Sequence, residues 1–214
     1  MDRSSKASAA EKDMHIHGDA TVGKEIREVR NARGLTISQL GEATGRSVAN
    51  ISRIERGETA INADSLNDIG AALNVDPRWF FPSRSGKGEL ERRYIVRSEA
   101  RRPMSALYTR QIDELGYKDE LLSSTLSGQF YITSSVYPAR TSGTLTPQEG
   151  FTFEGEQHGI VIQGELDLYL GSEVIRLTKD DSFSFPSMIP HYFCNPGRED
   201  AVMIWAASPV QISW

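Results

Sequence analysis

Apolar residues in the first third of the chain recur at helical spacing. Val22, Ile26 and Val29 mark one face of a helix over Val22–Arg33, which Gly34 ends. The stretch Thr36 to Gly57, TISQLGEATGRSVANISRIERG, predicts two short helices joined by a tight turn. Leu40 and Ala43 give the first of these an apolar face. Gly45 stands where that helix must stop, in the left-handed conformation that glycine adopts most cheaply. Ser47 supplies an N-cap hydroxyl, and Val48, Ile51 and Ile54 recur at spacings of three as the inward stripe of the second helix. After a loop over 58–62, Leu66, Ile69 and Leu73 predict a helix from Ala63 or Asp64 to Leu73, capped by Asn74. Asp76-Pro77 then starts a last short helix, and Trp79, Phe80 and Phe81 form an aromatic plug.

Pro82 to Gly88 reads as a linker by composition. A basic segment follows, with Arg92, Arg93, Arg97, Arg101 and Arg102 around the strand-like Tyr94-Ile95-Val96. Two readings stay open for it: an auxiliary phosphate contact or salt-bridge strip, and a solvated edge strand. From Leu107 the texture changes. Short Val-, Ile-, Tyr- and Phe-rich runs alternate with Gly, Pro and Asp turns, which predicts an all-β sandwich or barrel. The expected strands are 128–136, 159–163, 165–170, 173–178, 182–186, 191–195 and 201–207, with a short helix or irregular loop over 113–122. Residues 1–20 are polar and aperiodic and read as a disordered tail, so the pair His15 and His17 has nothing rigid to hold it. The expected domains are therefore 1–20, 21–82, a linker and basic strand over 83–104, and 105–214.

Charge changes this picture mainly by its distribution. The 214 residues carry a net charge of −5. The helical region is balanced, the segment 84–102 is basic, and the acidic excess lies in the β-rich part, which should not touch phosphate. A single cysteine, Cys194, excludes an internal disulfide and fits a reducing cytoplasm. No apolar run approaches the roughly 18 residues of a membrane span.

On the second helix of the 36–57 stretch, Arg46, Ser47, Ala49, Asn50 and Arg53 lie off the apolar stripe. Arg can fork onto guanine, Asn can pair with adenine, and Ala can touch a thymine methyl. This is the chemistry of a helix-turn-helix in a major groove. Residues Ile26 to Phe81 resemble the Cro/repressor-like (xenobiotic-response-element type) helix-turn-helix domain, through Ile26, Arg30, Gly34-Leu35-Thr36, Leu40, Thr44-Gly45, Ile51-Ser52, Ile54-Glu55, Gly57, Leu66, Ile69, Ala72-Leu73 and Val75. The resemblance implies an Arg30–Glu55 pair that locks the first helix to the recognition helix.

Gly159 to Pro196 carries a second resemblance, through Gly164, Leu177 with Asp181, Phe185, Pro190-His191 and Asn195. It looks like a cupin, a double-stranded jelly-roll β-barrel, over about residues 105–209. The fold class expected is thus α + β in two domains: a five-helix repressor-like helix-turn-helix domain, then a cupin.

Metal-binding cupins use His-x-His, a Glu a few residues later, and a His in the second motif. Counted back from Gly164, those positions hold Phe151, Phe153 and Gln157, and only His191 remains a ligand type. One imidazole and one neutral amide cannot hold a divalent ion tightly. His158 would point to the opposite face of the strand unless the register slips by one residue. No metal or other cofactor is expected. In place of a metal, Phe151, Phe153, Tyr131 and Trp205 could line a small-molecule site, with Gln157 and His191 as polar anchors and Arg140 pairing with a carboxylate. The same lining would suit an alkylammonium ion. Each aromatic is equally explicable as barrel core.

The resemblances imply a cytoplasmic, dimeric transcriptional regulator. Its helical heads would bind a palindromic double-stranded operator, and its cupin would sense a small effector. Two alternatives come from other classes. Chains of this architecture include iron-dependent epoxidases, against which the lost ligand positions count, and a regulator can instead respond to a protein partner.

Overall fold

The computed structural model describes residues 20–84, 86–107, 116–141 and 150–212. The tail reading, with His15 and His17, and most of the 113–122 reading lie outside these residues. The chain divides into two compact units between Pro82 and Ser83.

The first unit contains α1 (Ala20–Ala32), α2 (Ile37–Thr44), α3 (Val48–Glu55), α4 (Ala63–Leu73) and a 3-10 turn over Pro77–Phe80. Its boundaries follow from local chemistry. Thr36 and Gln39 form a reciprocal capping box at the start of α2, and Gly45 ends it at φ 65°. Ser47 caps α3 and Asn62 caps α4 through their side-chain oxygens. Asn74 closes α4 in the left-handed region, at φ 49°. Ile26, Leu40, Ile51, Ile69, Leu73 and Phe80 form the fully buried centre.

A buried ion pair crosses this core. Arg30 Nε and Nη2 donate to the two Glu55 carboxylate oxygens at 2.6 and 3.0 Å, and Nη1 donates to the Leu35 carbonyl at 2.6 Å. Helix α1 is thereby bolted both to α3 and to the turn before α2. Arg33 does similar work for α4. Its guanidinium donates to the carbonyls of Leu73 and Asn74, and burial lowers its pKa to about 10. At Gly23 a side chain would collide with the Ile54 carbonyl, so α1 and α3 touch backbone to backbone there.

Three apolar positions differ from expectation. Ala43 is exposed, because Leu40 and Gly41 are the buried positions of α2. A Cβ at Gly41 would meet the Arg46 carbonyl oxygen at 2.7 Å, so the chain leaving the turn runs over that face instead. Val48 is 51% exposed. It is the first residue of α3 and sits about 120° round from Ile54. Phe81 is 45% exposed while Trp79 and Phe80 are buried, since three successive residues of a 3-10 turn point about 120° apart.

The second unit begins with a short helix α5 (Glu89–Tyr94), where a strand around Tyr94 was expected. Glu89 and Glu91 in its first turn and Arg92 and Arg93 in its last complement the helix dipole. The Glu91 carboxylate also accepts from the Lys87 amide and pairs with Arg97. Nine strands follow: β1 (Arg102–Pro103), β2 (Lys118–Leu121), β3 (Tyr131–Tyr137), β4 (Glu156–Gln163), β5 (Glu165–Leu170), β6 (Glu173–Thr178), β7 (Ser182–Pro186), β8 (His191–Cys194) and β9 (Ala201–Ser208). Strand β2 replaces the end of the helix or loop expected over 113–122. The strands pair antiparallel in two sheets, ordered β1-β2-β3-β9-β4-β7 and β6-β5-β8. Alternate residues of β3, β4, β7 and β9 are buried: Tyr131, Thr133 and Ser135; Gln157 and Val161; Phe183 and Phe185; Met203, Trp205 and Ala207. Leu166 and Leu168 of β5 complete the core from the smaller sheet. The architecture is α + β, a helical head followed by a β-barrel.

Glu55→Ala should destabilise the helical unit by about 3–5 kcal/mol, because it leaves the Arg30 guanidinium buried and unpaired. Urea denaturation followed at 222 nm checks this. An Arg30→Met, Glu55→Leu double variant should recover much of the loss.

Candidate functional site

Helix α3 carries one face of chemistry to solvent. Ala49 and Arg53 are exposed and Asn50 is half-buried. Among the described residues, neither the Asn50 amide nor the Arg53 guanidinium makes a hydrogen bond. Ser47 is exposed, but its Oγ is engaged as the cap, accepting from the Asn50 amide at 3.2 Å. Arg46 departs from the others. Its guanidinium donates to the Thr44 carbonyl at 2.9 Å and the Ser65 hydroxyl at 2.8 Å, and pairs with Asp68 at 3.1 Å. The structure therefore aims Arg46 at α4 and away from the face shared by Ala49, Asn50 and Arg53. Arg56, which the sequence reading passed over, extends that face. It pairs with Glu58 and donates to the Ser52 hydroxyl.

In the barrel the decisive fact is the register of β4. Gln157 pairs with Phe185 of β7 and Ala207 of β9, and His158 pairs with Ser184 and Ala206. Gln157 is consequently buried, and His158 is on the outside, its ring nitrogens meeting Ser184 Oγ at 2.8 Å and Glu156 Oε2 at 3.1 Å. No one-residue slip brings His158 inward.

Around Gln157 the expected residues only partly converge. His191 is 3% exposed and donates from Nδ1 to the Ile189 carbonyl at 2.8 Å. That bond fixes the neutral tautomer and leaves Nε2 as an acceptor. Burial holds the imidazole pKa below its usual value, against the opposing pull of the Ile189 carbonyl. Phe185 packs on the His191 ring at 4.8 Å and Phe153 at 5.6 Å, both edge to face. Phe151 meets His191 through its backbone, each amide donating to the other's carbonyl. Tyr131 and Trp205 lie inside the barrel, their rings 5.7 Å apart, and the Trp205 indole donates to Ser135 Oγ at 2.6 Å. Arg140 does not join them. It is exposed in a left-handed turn at φ 58°, held by its backbone amide to the Gly197 carbonyl. A carboxylate partner inside the barrel is thus ruled out for Arg140.

Two buried polar atoms there have no partner. Gln157 Oε1 is one and Ser187 Oγ is the other. Ser187 is fully buried just after β7, where its carbonyl accepts from Phe153 and its amide donates to Gly155. It escaped the sequence reading because a lone serine after a strand carries no signal. Leaving such atoms unpaired costs about 1–3 kcal/mol each. The residues do not fit a cupin metal. A phenylalanine and an uncharged amide stand at ligand positions, and no group of three His, Cys, Asp or Glu side chains comes together among the described residues. No helix of the described residues is long and apolar enough to cross a membrane.

The comparisons with known proteins follow the same division. Residues 26–80 match the helix-turn-helix family and residues 147–207 the cupin domain. A segment of 75 residues is 35% identical to the HTH-type transcriptional regulator y4wC of Sinorhizobium fredii, covering 35% of this chain and 52% of that one, so only about half of that relative is spanned. Over 81% of this chain and 86% of the other, identity to the HTH-type transcriptional regulator SutR of Escherichia coli is 27%. For the regulator PuuR of the same organism it is 22%, over 87% and 94%. Among solved structures, a hydroxypropylphosphonic acid epoxidase from S. wedmorenis aligns at 16% identity and a TM-score of 0.42, covering 88% of this chain and 97% of that one.

His191 predicts a pH dependence of stability. Its folded pKa lies below 6.5, so the unfolded chain binds the extra proton first. The contribution is present above about pH 6.5 and is lost as pH falls below that value. Thermal melts from pH 7.5 down to 5 should show the barrel weakening, with a shallower slope in His191→Gln.

Proposed function

Starting from a chain that belongs to the helix-turn-helix transcriptional regulators carrying a cupin domain, we propose that the barrel senses a small metabolite and that its occupancy alters operator binding. The observation that carries this reading is the buried, unpartnered amide of Gln157. A fold retains an unsatisfied polar group in its core at a cost, and a ligand that pairs with it relieves that cost. The aromatic rings of Phe153 and Phe185 beside it supply the apolar wall that small-molecule sites use. Relatives named as transcriptional regulators, and a donor set unfit for a metal, favour this role over catalysis.

On the DNA side, Ala49, Asn50 and Arg53 are the base-reading residues, with Ser47 at the helix start near a phosphate. Arg46 serves as the bracket between the turn and α4. Two chains, paired as a homodimer in the cytoplasm, place two α3 helices about one DNA turn apart on a palindrome. The expected division into a head to residue 82, a linker to 104 and a sensing barrel beyond it fits this scheme.

Asn50→Ala and Arg53→Ala should each cost about 1–3 kcal/mol of operator affinity and relax specificity at one base pair. Arg46→Ala should instead lower the melting temperature of the head. Binding to an operator panel at fixed salt separates these outcomes. A uniform loss across all sequences would make Arg53 a phosphate contact. For the sensor, the small-molecule filtrate of a cell extract should raise the melting temperature of the full chain and shift its operator affinity. No effect on either would remove the sensing role.

A further inference from the structure

We propose that the barrel site takes a primary alkylammonium ion, bound between His191, Gln157 and Ser187. This rests on the sensing role above and names the chemistry of the same site.

The three polar side chains all present acceptors. His191 spends its only N–H on the Ile189 carbonyl, so Nε2 offers a lone pair. Gln157 has no hydrogen bond through either amide atom, so its carbonyl oxygen is unpaired whichever way the amide is turned. Ser187 Oγ, with no partner, can accept as well. They belong to one neighbourhood. Phe185 is the cross-strand partner of Gln157, its ring lies 4.8 Å from that of His191, and Ser187 follows it two residues on, on the same face of the strand. Phe153 closes the other side of His191 and receives its backbone bond from the Ser187 carbonyl.

Three acceptors ask for three donors on one small group. A primary ammonium carries three N–H bonds, and the rings of Phe153 and Phe185 attract a cation. An acid has nothing to meet it. Among the described residues the barrel buries no Lys or Arg, and its one buried formal charge there is the carboxylate of Asp119. With Arg140 on the outside, the carboxylate reading of the sequence loses its cation.

The test uses the full-length protein and linear primary amines from propyl- to hexylamine, with the matched alcohols and carboxylates, in calorimetry and thermal melts near neutral pH. The amines are expected to bind and raise the melting temperature, the alcohols to bind at least about tenfold more weakly, and the carboxylates not at all. Gln157→Leu should weaken amine binding by about tenfold or more while keeping or raising the unliganded melting temperature, because it removes an unsatisfied buried group. Ser187→Ala is the second variant and should weaken binding in the same direction. Binding of alcohols or carboxylates in preference to amines overturns the ammonium assignment and leaves the sensor standing. So does a cell filtrate whose activity passes through a cation-exchange resin unretained. Amine binding unchanged in both variants overturns the placement. A filtrate with no active fraction overturns the sensing role itself.

Discussion

The helical unit hangs on the two-pronged contact between Arg30 and Glu55. Helix α3 has eight residues, too few to persist alone in water. It keeps its shape because Ile51 and Ile54 are buried and because Glu55, at its end, is forked by a guanidinium from α1. The same guanidinium holds the Leu35 carbonyl, which sets where α2 begins. One side chain therefore fixes three segments, and the outward face of α3 is rigid before any DNA arrives. A reading helix pre-ordered in this way loses less conformational freedom on binding.

In the barrel the corresponding constraint is strand register. A strand has two faces, so one residue of slip exchanges every inward side chain for an outward one. The pairing of Gln157 with Phe185 and Ala207 puts an amide where metal-binding relatives of this fold place a carboxylate. The neighbouring histidine is spent on a surface contact with Ser184 and Glu156. The site then consists of uncharged acceptors and rings, which is recognition chemistry and offers no nucleophile or Lewis acid.

How much of this was legible in the sequence depended on how local the cause was. Caps and stops were legible, since Gly45, Ser47 and Asn74 act within one turn of the chain. The strand positions from β3 to β9 were legible for the same reason: alternation and turn residues are local. Contacts set by the fold were not. The exposure of Val48 and the packing of Gly41 against the turn depend on how α2 meets α3. Arg46 looked like a base reader because its engagement with Ser65 and Asp68 spans 19 and 22 residues. The helix at Glu89–Tyr94 was missed because six residues with two apolar positions fit either period. Ser187 and the exclusion of Arg140 were beyond reach, since both depend on which way a loop turns at the end of a strand.

The two units meet the same thermodynamic requirement from opposite sides. The head is built with its polar groups paired inward and its reading groups left free. The barrel is built with two polar atoms left unpaired inside. A ligand that satisfies them stabilises only the barrel conformation in which they converge, and its influence on DNA cannot exceed that differential affinity. Replacing Gln157 by an apolar residue would give a more stable barrel with less to gain from a ligand. The unsatisfied amide is thus the feature that lets occupancy of the barrel carry free energy at all.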